Sequence, residues 1–376
     1  MAESSVFETT TIGIEKEAKV YVAPQWILVW WKFRRHKLAL ASGVIVILIY
    51  LVAALAEFLS PFPPDRTDSK HLYAPPQRLH FFDRGKFGLY VYGYTSKIEP
   101  VALRRVFTVD PEAKIRVGFF VKGYPYKLFG LIPTDRHLLG PIDQTQPMYL
   151  LGADRLGRDL LSRMITGTRI SMSIGLIGVF ISLILGTLLG GLSGYYGGGV
   201  DNLIQRLIEF LRSIPSVPLW MGLAAALPVT MPPLKVYFYI TIILSFIGWT
   251  NLARVVRGRF LSLREEDFVM AARLDGQSEL GIIFRQMLPA FTSHIIASIT
   301  LAIPGMILAE TSLSFLGLGL REPVVSWGVL LQEAQDIRAI ATAPWLLIPA
   351  LAVVLAVLAL NFLGDGLRDA ADPYAR

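Results

Sequence analysis

Residues 191–194 read Gly-Leu-Ser-Gly, a setting for a serine nucleophile, and His294 stands near the start of another apolar segment. A serine and an imidazole within hydrogen-bond reach would support covalent catalysis. Glu310 and Asn361 form a second kind of candidate. Both fall in apolar runs, where a polar side chain is costly and commonly faces a pathway. Glu310, at the end of its run, is equally served by water. Metal chemistry has little to build on, because His36, His71, His80, His137 and His294 are scattered and form no H-E-x-x-H. With no cysteine there is neither thiol chemistry nor a disulfide framework. No G-x-x-x-x-G-K-[ST] loop occurs, so nucleotide phosphates would have to be handled by another chain. Residues 267–290, DFVMAARLDGQSELGIIFRQMLPA, are a candidate of a different kind. They carry Ala271-Ala272, a turn-forming Asp275-Gly276 and a closing Leu288-Pro289. Small alanines let a short helix sit close to a partner, glycine permits a sharp turn, and proline fixes the start of the next segment. That is the chemistry of docking, not of reaction.

The elements that must position these residues are set by composition. Of 376 residues 53% are hydrophobic and only 17% charged, and the mean hydropathy is +0.51. Soluble domains carry about a quarter charged residues, and here the apolar surplus is gathered into long uncharged runs. Such runs are read as membrane-spanning helices. Six are expected, over 38–56, 170–195, 213–234, 236–253, 291–309 and 339–364. The third is punctuated by Pro215, Pro218, Pro228, Pro232 and Pro233, which predicts a short or kinked helix. Gly186, Gly190 and Gly194 recur every four residues in the second run and predict close packing against a neighbouring helix. Between 312 and 320, SLSFLGLGL is too short to span and reads as a re-entrant or interfacial turn.

Lysine and arginine placement orients the spans. The flank up to Lys37 holds six, and the loop 254–290 holds another six: Arg254, Arg257, Arg259, Arg264, Arg273 and Arg285. The short connections on the other side hold one (Lys235) and two (Arg321, Arg338). Both termini are therefore expected in the cytoplasm. The formal charge of +7 reports this orientation and does not imply nucleic acid. Residues 1–37 form a cytoplasmic tail without signal-peptide character, ending in WILVWWKFRRHK, an interfacial helix against the lipid bilayer. The first span and its exit occupy 38–59. Residues 60–169 lie outside as a small β-rich unit, with strands expected at 87–96, 104–109 and 114–123. Residues 170–364 form the core of five helices, and 365–376 a cytoplasmic tail.

At this spacing, in the most basic short loop between two spans, the 267–290 motif resembles the coupling loop of bacterial ABC importer permeases. The resemblance is to the dipeptide/oligopeptide (peptide/nickel) family, and to the second of its two membrane subunits. LGADRLGRDLLSRMITGTRISMSIG (151–175), ETSLSFLGLGLREPVVSWG (310–328) and NFLGDGLRDAADPYAR (361–376) resemble further signatures of that family. Region 80–126 is the least similar. Met270 stands where the motif has glutamate, with Glu265, Glu266 and Asp267 one turn earlier as substitutes for its charge. Gln286 stands where histidine is frequent. The resemblance implies an all-α membrane protein of the type I ABC importer permease fold, with a β-containing extracytoplasmic insertion. It implies a non-catalytic subunit in a prokaryotic inner membrane, forming half of a pore for di- or oligopeptides. The implied partners are a homologous second permease, two ATPase subunits that hold the ATP and Mg, and an extracytoplasmic peptide-binding protein. This chain itself would bind no cofactor. Glutathione and nickel permeases carry the same signatures and remain alternatives for cargo. Rivals from other classes are a rhomboid-like intramembrane serine protease, built on Ser193 and His294, and a passive channel or ion-coupled carrier, which would give no reason for the loop motif.

Overall fold

The computed structural model describes residues 25–83, 86–100, 105–228 and 230–371. The expectations for 1–24 and for the last five residues lie outside the described residues. Among the described residues, five helical segments are long and apolar enough to cross a membrane: Lys37–Ala54, Leu160–Tyr196, Pro233–Leu263, His294–Phe315 and Pro344–Ala371. In chain order the helices that matter are α1 (Gln25–Phe33), α2 (Lys37–Ala54), α3 (Leu160–Tyr196), α4 (Gly198–Ser213) and α5 (Ser216–Ala225). They continue with α6 (Pro233–Leu263), α7 (Asp267–Leu274), α8 (Thr292–Phe315), α9 (Trp327–Gln332) and α10 (Ile348–Ala371).

The directions of these helices follow from their contacts. On α3, Gly178, Gly186 and Gly194 meet Ser245, Leu252 and Phe260 of α6 in that order, so the two helices run parallel. A parallel pair needs a return crossing between its members, and α4 and α5 provide it together. Ile204, Ile208 and Leu211 of α4 pack on Trp249 and Ala253. On α5, Ala224, with Trp220 and Met221, packs with Tyr237, Ile240 and Leu244 of α6. The expected third span is therefore corrected. It is a path broken near Pro215, beginning at Gly198 and not at 213, and its apolar helix has only 10 residues, about half a bilayer. The sixth span is corrected too, because Pro344 opens it after a separate short helix, Ile337–Thr342.

Leu301 of α8 lies at Gly364, Leu363 of α10 lies at Gly43 of α2, and Ala39 lies at Gly366. Helices α10 and α2 are thus antiparallel, and α8 runs antiparallel to α3, because Gly178 of α3 meets Met306 while Ser171 meets Glu310. The starts of α2 and α8 and the ends of α3, α6 and α10 share one end of the bundle, here the loop end, with α7. His36 and Asp369 approach within 3.6 Å there.

The opposite, sheet end carries a four-stranded antiparallel meander ordered β1-β2-β3-β4, with β1 His80–Asp83, β2 Lys86–Ile98, β3 Arg105–Leu128 and β4 Ile132–Pro141. Its core is Phe62, Leu89, Val91, Ile115, Val117 and Met148. The two strands expected at 104–109 and 114–123 are one. Tyr92 pairs with Lys114 and Gly93 with Asp110, so residues 111–113 bulge out while the ladder continues. The sheet is tied to the first span by His137, whose Nδ1 lies 2.9 Å from the Glu57 carbonyl and whose Nε2 lies 3.0 Å from that of Tyr124.

Candidate functional site

At the loop end, α7 presents two unlike faces. Val269 and Ala272 are buried with Tyr195, Val256, Phe260, Ile282, Ile283, Met287 and Phe291. Outward, Phe268, Met270, Leu274, Leu280 and Phe284 are exposed, Leu274 by 89%. The alanine pair is therefore split, because its members fall on different faces of one helix. Ala271 is exposed, whereas Ala272 seats α7 on its own bundle and cannot present itself to a partner. Glu265, Glu266 and Asp267 are exposed at the start of α7, where the helix dipole favours negative charge.

Gly276 ends α7 in the left-handed conformation, φ +71°. Its N–H donates to Arg273 and that of Gln277 to Ala272, at 3.0 and 3.1 Å, closing a Schellman turn. Asp275, just before it, donates its N–H to Ala271. Ser278 then caps the returning arm by accepting from Gly281. That arm is π-helical over Ile282–Met287 before Leu288–Ala290. Leu288 is half-buried and Pro289 exposed. Gln286 reaches back to Gln277, at 3.4 Å, and ties the two arms together.

Sequence reasoning missed what anchors this surface. Arg273 lies 5.0 Å over the Tyr195 ring, and Tyr196 donates to Glu279 at 2.5 Å. The tyrosine pair beside Gly197–Gly199 was the available signal.

Behind the surface, a Cβ on Gly186 would lie 2.9 Å from the Leu252 Cβ, one on Gly190 2.5 Å from the Ala253 carbonyl oxygen, and one on Gly194 2.6 Å from the Phe260 Cβ. Close below, Arg257 clasps Asp201 with two hydrogen bonds of 2.5 and 2.6 Å. The Ser193 hydroxyl donates to the same carboxylate and accepts from Gln205, whereas the His294 ring faces Arg259 at 3.3 Å. Ser193 is a strut between α3 and α4. The catalytic pairing with His294 does not form.

Glu310 is also reassigned. It is fully buried and not solvated at a span end. Its carboxylate accepts from Ser171, Ser314 and Ser326, at 3.4, 2.8 and 2.7 Å. Each serine in turn accepts a backbone N–H, from Trp327, Leu320 and Val329 respectively. One carboxylate thus organises the turn between α8 and α9. Asn361 is half-buried in α10, and its side chain makes no hydrogen bond among the described residues.

Two stretches far apart in sequence close the sheet end. Arg158 donates to Asp154 and to Glu322, both at 2.6 Å, and Arg163 donates to Glu322 at 3.1 Å. The Arg158 bond, first of all, holds the Glu322 carboxyl below its usual range. Neighbouring Asp159, the cap of α3, is pushed up by burial to about 6.

Residues 186–376 match the family model for the binding-protein-dependent transport system inner membrane component. Residues 24–76 match the N-terminal transmembrane domain of oligopeptide transport permease C. The chain is 41% identical over 244 residues to the oligopeptide transport system permease protein OppC of Haemophilus influenzae, covering 65% of this chain and 76% of that one. It is 39% identical to the glutathione transport system permease protein GsiD of Pectobacterium atrosepticum, over 66% and 79% of the two chains. It is 37% identical to the dipeptide transport system permease protein DppC of Bacillus subtilis, over 61% and 69%. Among solved structures, a chain of the MetNI methionine ABC transporter in an inward-facing conformation aligns with a TM-score of 0.43 at 16% identity, over 56% of this chain and 96% of that one. Membrane-crossing helices, a loop motif without reaction chemistry, and a family match over half the sequence lead to one assignment. The chain is a permease belonging to the family of binding-protein-dependent transport system inner membrane components.

Proposed function

We propose that this permease forms half of the translocation path of an ATP-driven importer for di- and oligopeptides, and that residues 267–290 receive the motion of an ATPase subunit. The observation that carries the coupling role is the exposed apolar row Phe268, Met270, Leu274, Leu280 and Phe284 at the loop end. Monomeric proteins rarely leave such residues clustered on a short polar loop without a partner. Glu265, Glu266 and Asp267 rim it with negative charge that Met270 does not supply. The assembly this implies has a homologous second permease, two ATPases that bind the ATP and Mg, and an external binding protein that delivers cargo. The lysine and arginine bias supports a cytoplasmic position for the loop end and both chain termini in a prokaryotic inner membrane.

Peptide cargo is favoured by the names of the relatives, several of which are oligopeptide or dipeptide permeases. A second reading, glutathione, rests on the 39% identity to a glutathione permease. Glutathione is itself a short peptide, so the two readings share a chemistry.

The test is purification of the chain from its native membranes in mild detergent, alongside uptake of labelled di- and tripeptides and glutathione by cells with and without it. Recovery of a sister permease and ATPase chains, with peptide uptake lost on deletion, is expected. A chain that purifies alone, or unchanged uptake, would end the proposal.

A further inference from the structure

The return crossing leaves a cleft of about 410 Å³ among α3, α4, α5, α6 and α8. Its wall includes Arg212, Ser216, Trp220, Asn251 and Gly305. Asn251 adjoins Leu252, which packs on Gly186, so the cleft lies at the depth of the uncharged run 170–200. The wall is open at Gly305, next to Pro304 inside α8, where a Cβ would meet nothing within 4 Å.

Charge accounting on α4 singles out one residue. Asp201 is paired with Arg257, and Arg206 with Glu209. Arg212 is exposed at the mouth of the cleft and has no carboxylate partner among the described residues; its one side-chain hydrogen bond among them is to the Asn251 amide oxygen, at 3.5 Å. A guanidinium offers five donors, and one bond at the limit of hydrogen-bond distance leaves nearly all of them unused. In the same wall the Trp220 indole N–H is enclosed and has no acceptor among the described residues. The cleft therefore carries unmatched donors and a net positive charge at membrane depth, where an ionisable group normally faces a partner or a pathway.

We infer that Arg212 is the transient counter-ion for the carboxylate of a peptide in transit. This rests on the peptide reading above and adds to it a contact in the membrane path. A peptide brings what the cleft lacks: a terminal carboxylate that a guanidinium can take side-on, and carbonyl acceptors behind it. One charged contact in an open cleft holds cargo weakly, as passage requires.

The experiment measures maximal uptake of a short peptide with a free C-terminus and of its C-terminal amide. It uses the complete transporter in cells, for wild type, Arg212→Lys, Arg212→Gln and Arg212→Met, with rates normalised to permease in the membrane. Wild type should prefer the free acid. Arg212→Gln and Arg212→Met should collapse that preference by roughly tenfold, the scale of one charged hydrogen bond, and Arg212→Lys should keep most of it. A preference unchanged in Arg212→Gln would overturn the inference, as would an equal fall for both peptides. The latter would assign Arg212 to packing or to an acidic residue of the second permease. Failure of the peptide reading shows elsewhere, as equal uptake of both peptides with and without the permease, and it removes the carboxylate together with the cargo.

Discussion

Replacing Gly190 by alanine adds one methyl group at the tightest point between α3 and α6. The new Cβ would sit 2.5 Å from the Ala253 carbonyl oxygen, 2.8 Å from its Cα and 2.9 Å from the Val256 Cβ. Ordinary contact begins near 3.4 Å, so the helices must part by about 0.9 Å. None of the three obstructing atoms lies at the end of a flexible side chain that could swing aside. Gly186 and Gly194, one turn away on either side, hold the same interface closed, so the strain cannot be relieved locally. Overpacking of this kind costs about 1–3 kcal/mol. Gly258 is the internal control. It lies on α6 with nothing within 4 Å of its Cβ position, and alanine there should be neutral or stabilising by up to about 1 kcal/mol. The assay is thermal unfolding of the purified permease in one detergent, followed by tryptophan fluorescence. At roughly 2–4 °C per kcal/mol for large chains, Gly190→Ala should melt several degrees below wild type and Gly258→Ala at or above it. An unchanged midpoint for Gly190→Ala, or an equal fall for Gly258→Ala, would refute the seam.

Other outcomes follow from the same geometry. Gly276 has open space around it but φ +71°, so substitution costs about 1–2 kcal/mol through backbone conformation alone. Gly276→Val should stay in the membrane and lose uptake while Gly276→Asn keeps much of it; full uptake by the valine variant would sink the docking role. Ser193→Ala should cost about 1 kcal/mol of stability and leave uptake intact, whereas complete loss at normal abundance would revive the nucleophile. Glu322→Gln removes a carboxylate shared by Arg158 and Arg163 and should cost roughly 1–3 kcal/mol, between an exposed and a buried pair. Because the folded Glu322 carboxyl is held below its ordinary range, its stabilising effect is full above that range and fades as pH falls. The stability gap between wild type and Glu322→Gln should therefore be widest at neutral pH and narrow on acidification. A gap that grows in acid would contradict the pairing.

The apolar centres of five spans were legible because hydrophobicity over 20 residues survives any tertiary context, but α3 begins ten residues before its expected start and α6 runs ten past its expected end, because Arg163, Arg169, Arg254, Arg257 and Arg259 read as loop. The return crossing was misplaced because α4 carries Asp201, Arg206, Glu209 and Arg212, which read as loop. Sequence cannot show that Arg257, 56 residues on, neutralises the first of them. The strands expected at 104–109 and 114–123 are one β3, because the residues between them bulge out while the ladder continues. The loop motif was visible as a pattern, but the division of Ala271 from Ala272 depends on where α7 docks. Glu310 is legible as a polar group at the end of an apolar run, but its cradle is not, since its three serines come from three separate segments. The meeting of Arg158 and Arg163 with Glu322, across about 160 residues, had no local signal at all.

The polar knot around Glu310 and the ion cluster at Glu322 both fasten the sheet end, and this makes the bundle mechanically asymmetric. A rod pinned at one tip turns about that tip. Helix α3 has 37 residues, about 55 Å at 1.5 Å per residue. A tilt of about 5° about its pinned tip sweeps the far tip through roughly 5 Å, close to one helical turn, while the fastened end moves by a fraction of that. Force applied at the loop end therefore acts with the full length of the rod as its lever arm. Any displacement of the loop end is therefore graded along α3, largest at that end and least at the fastened one.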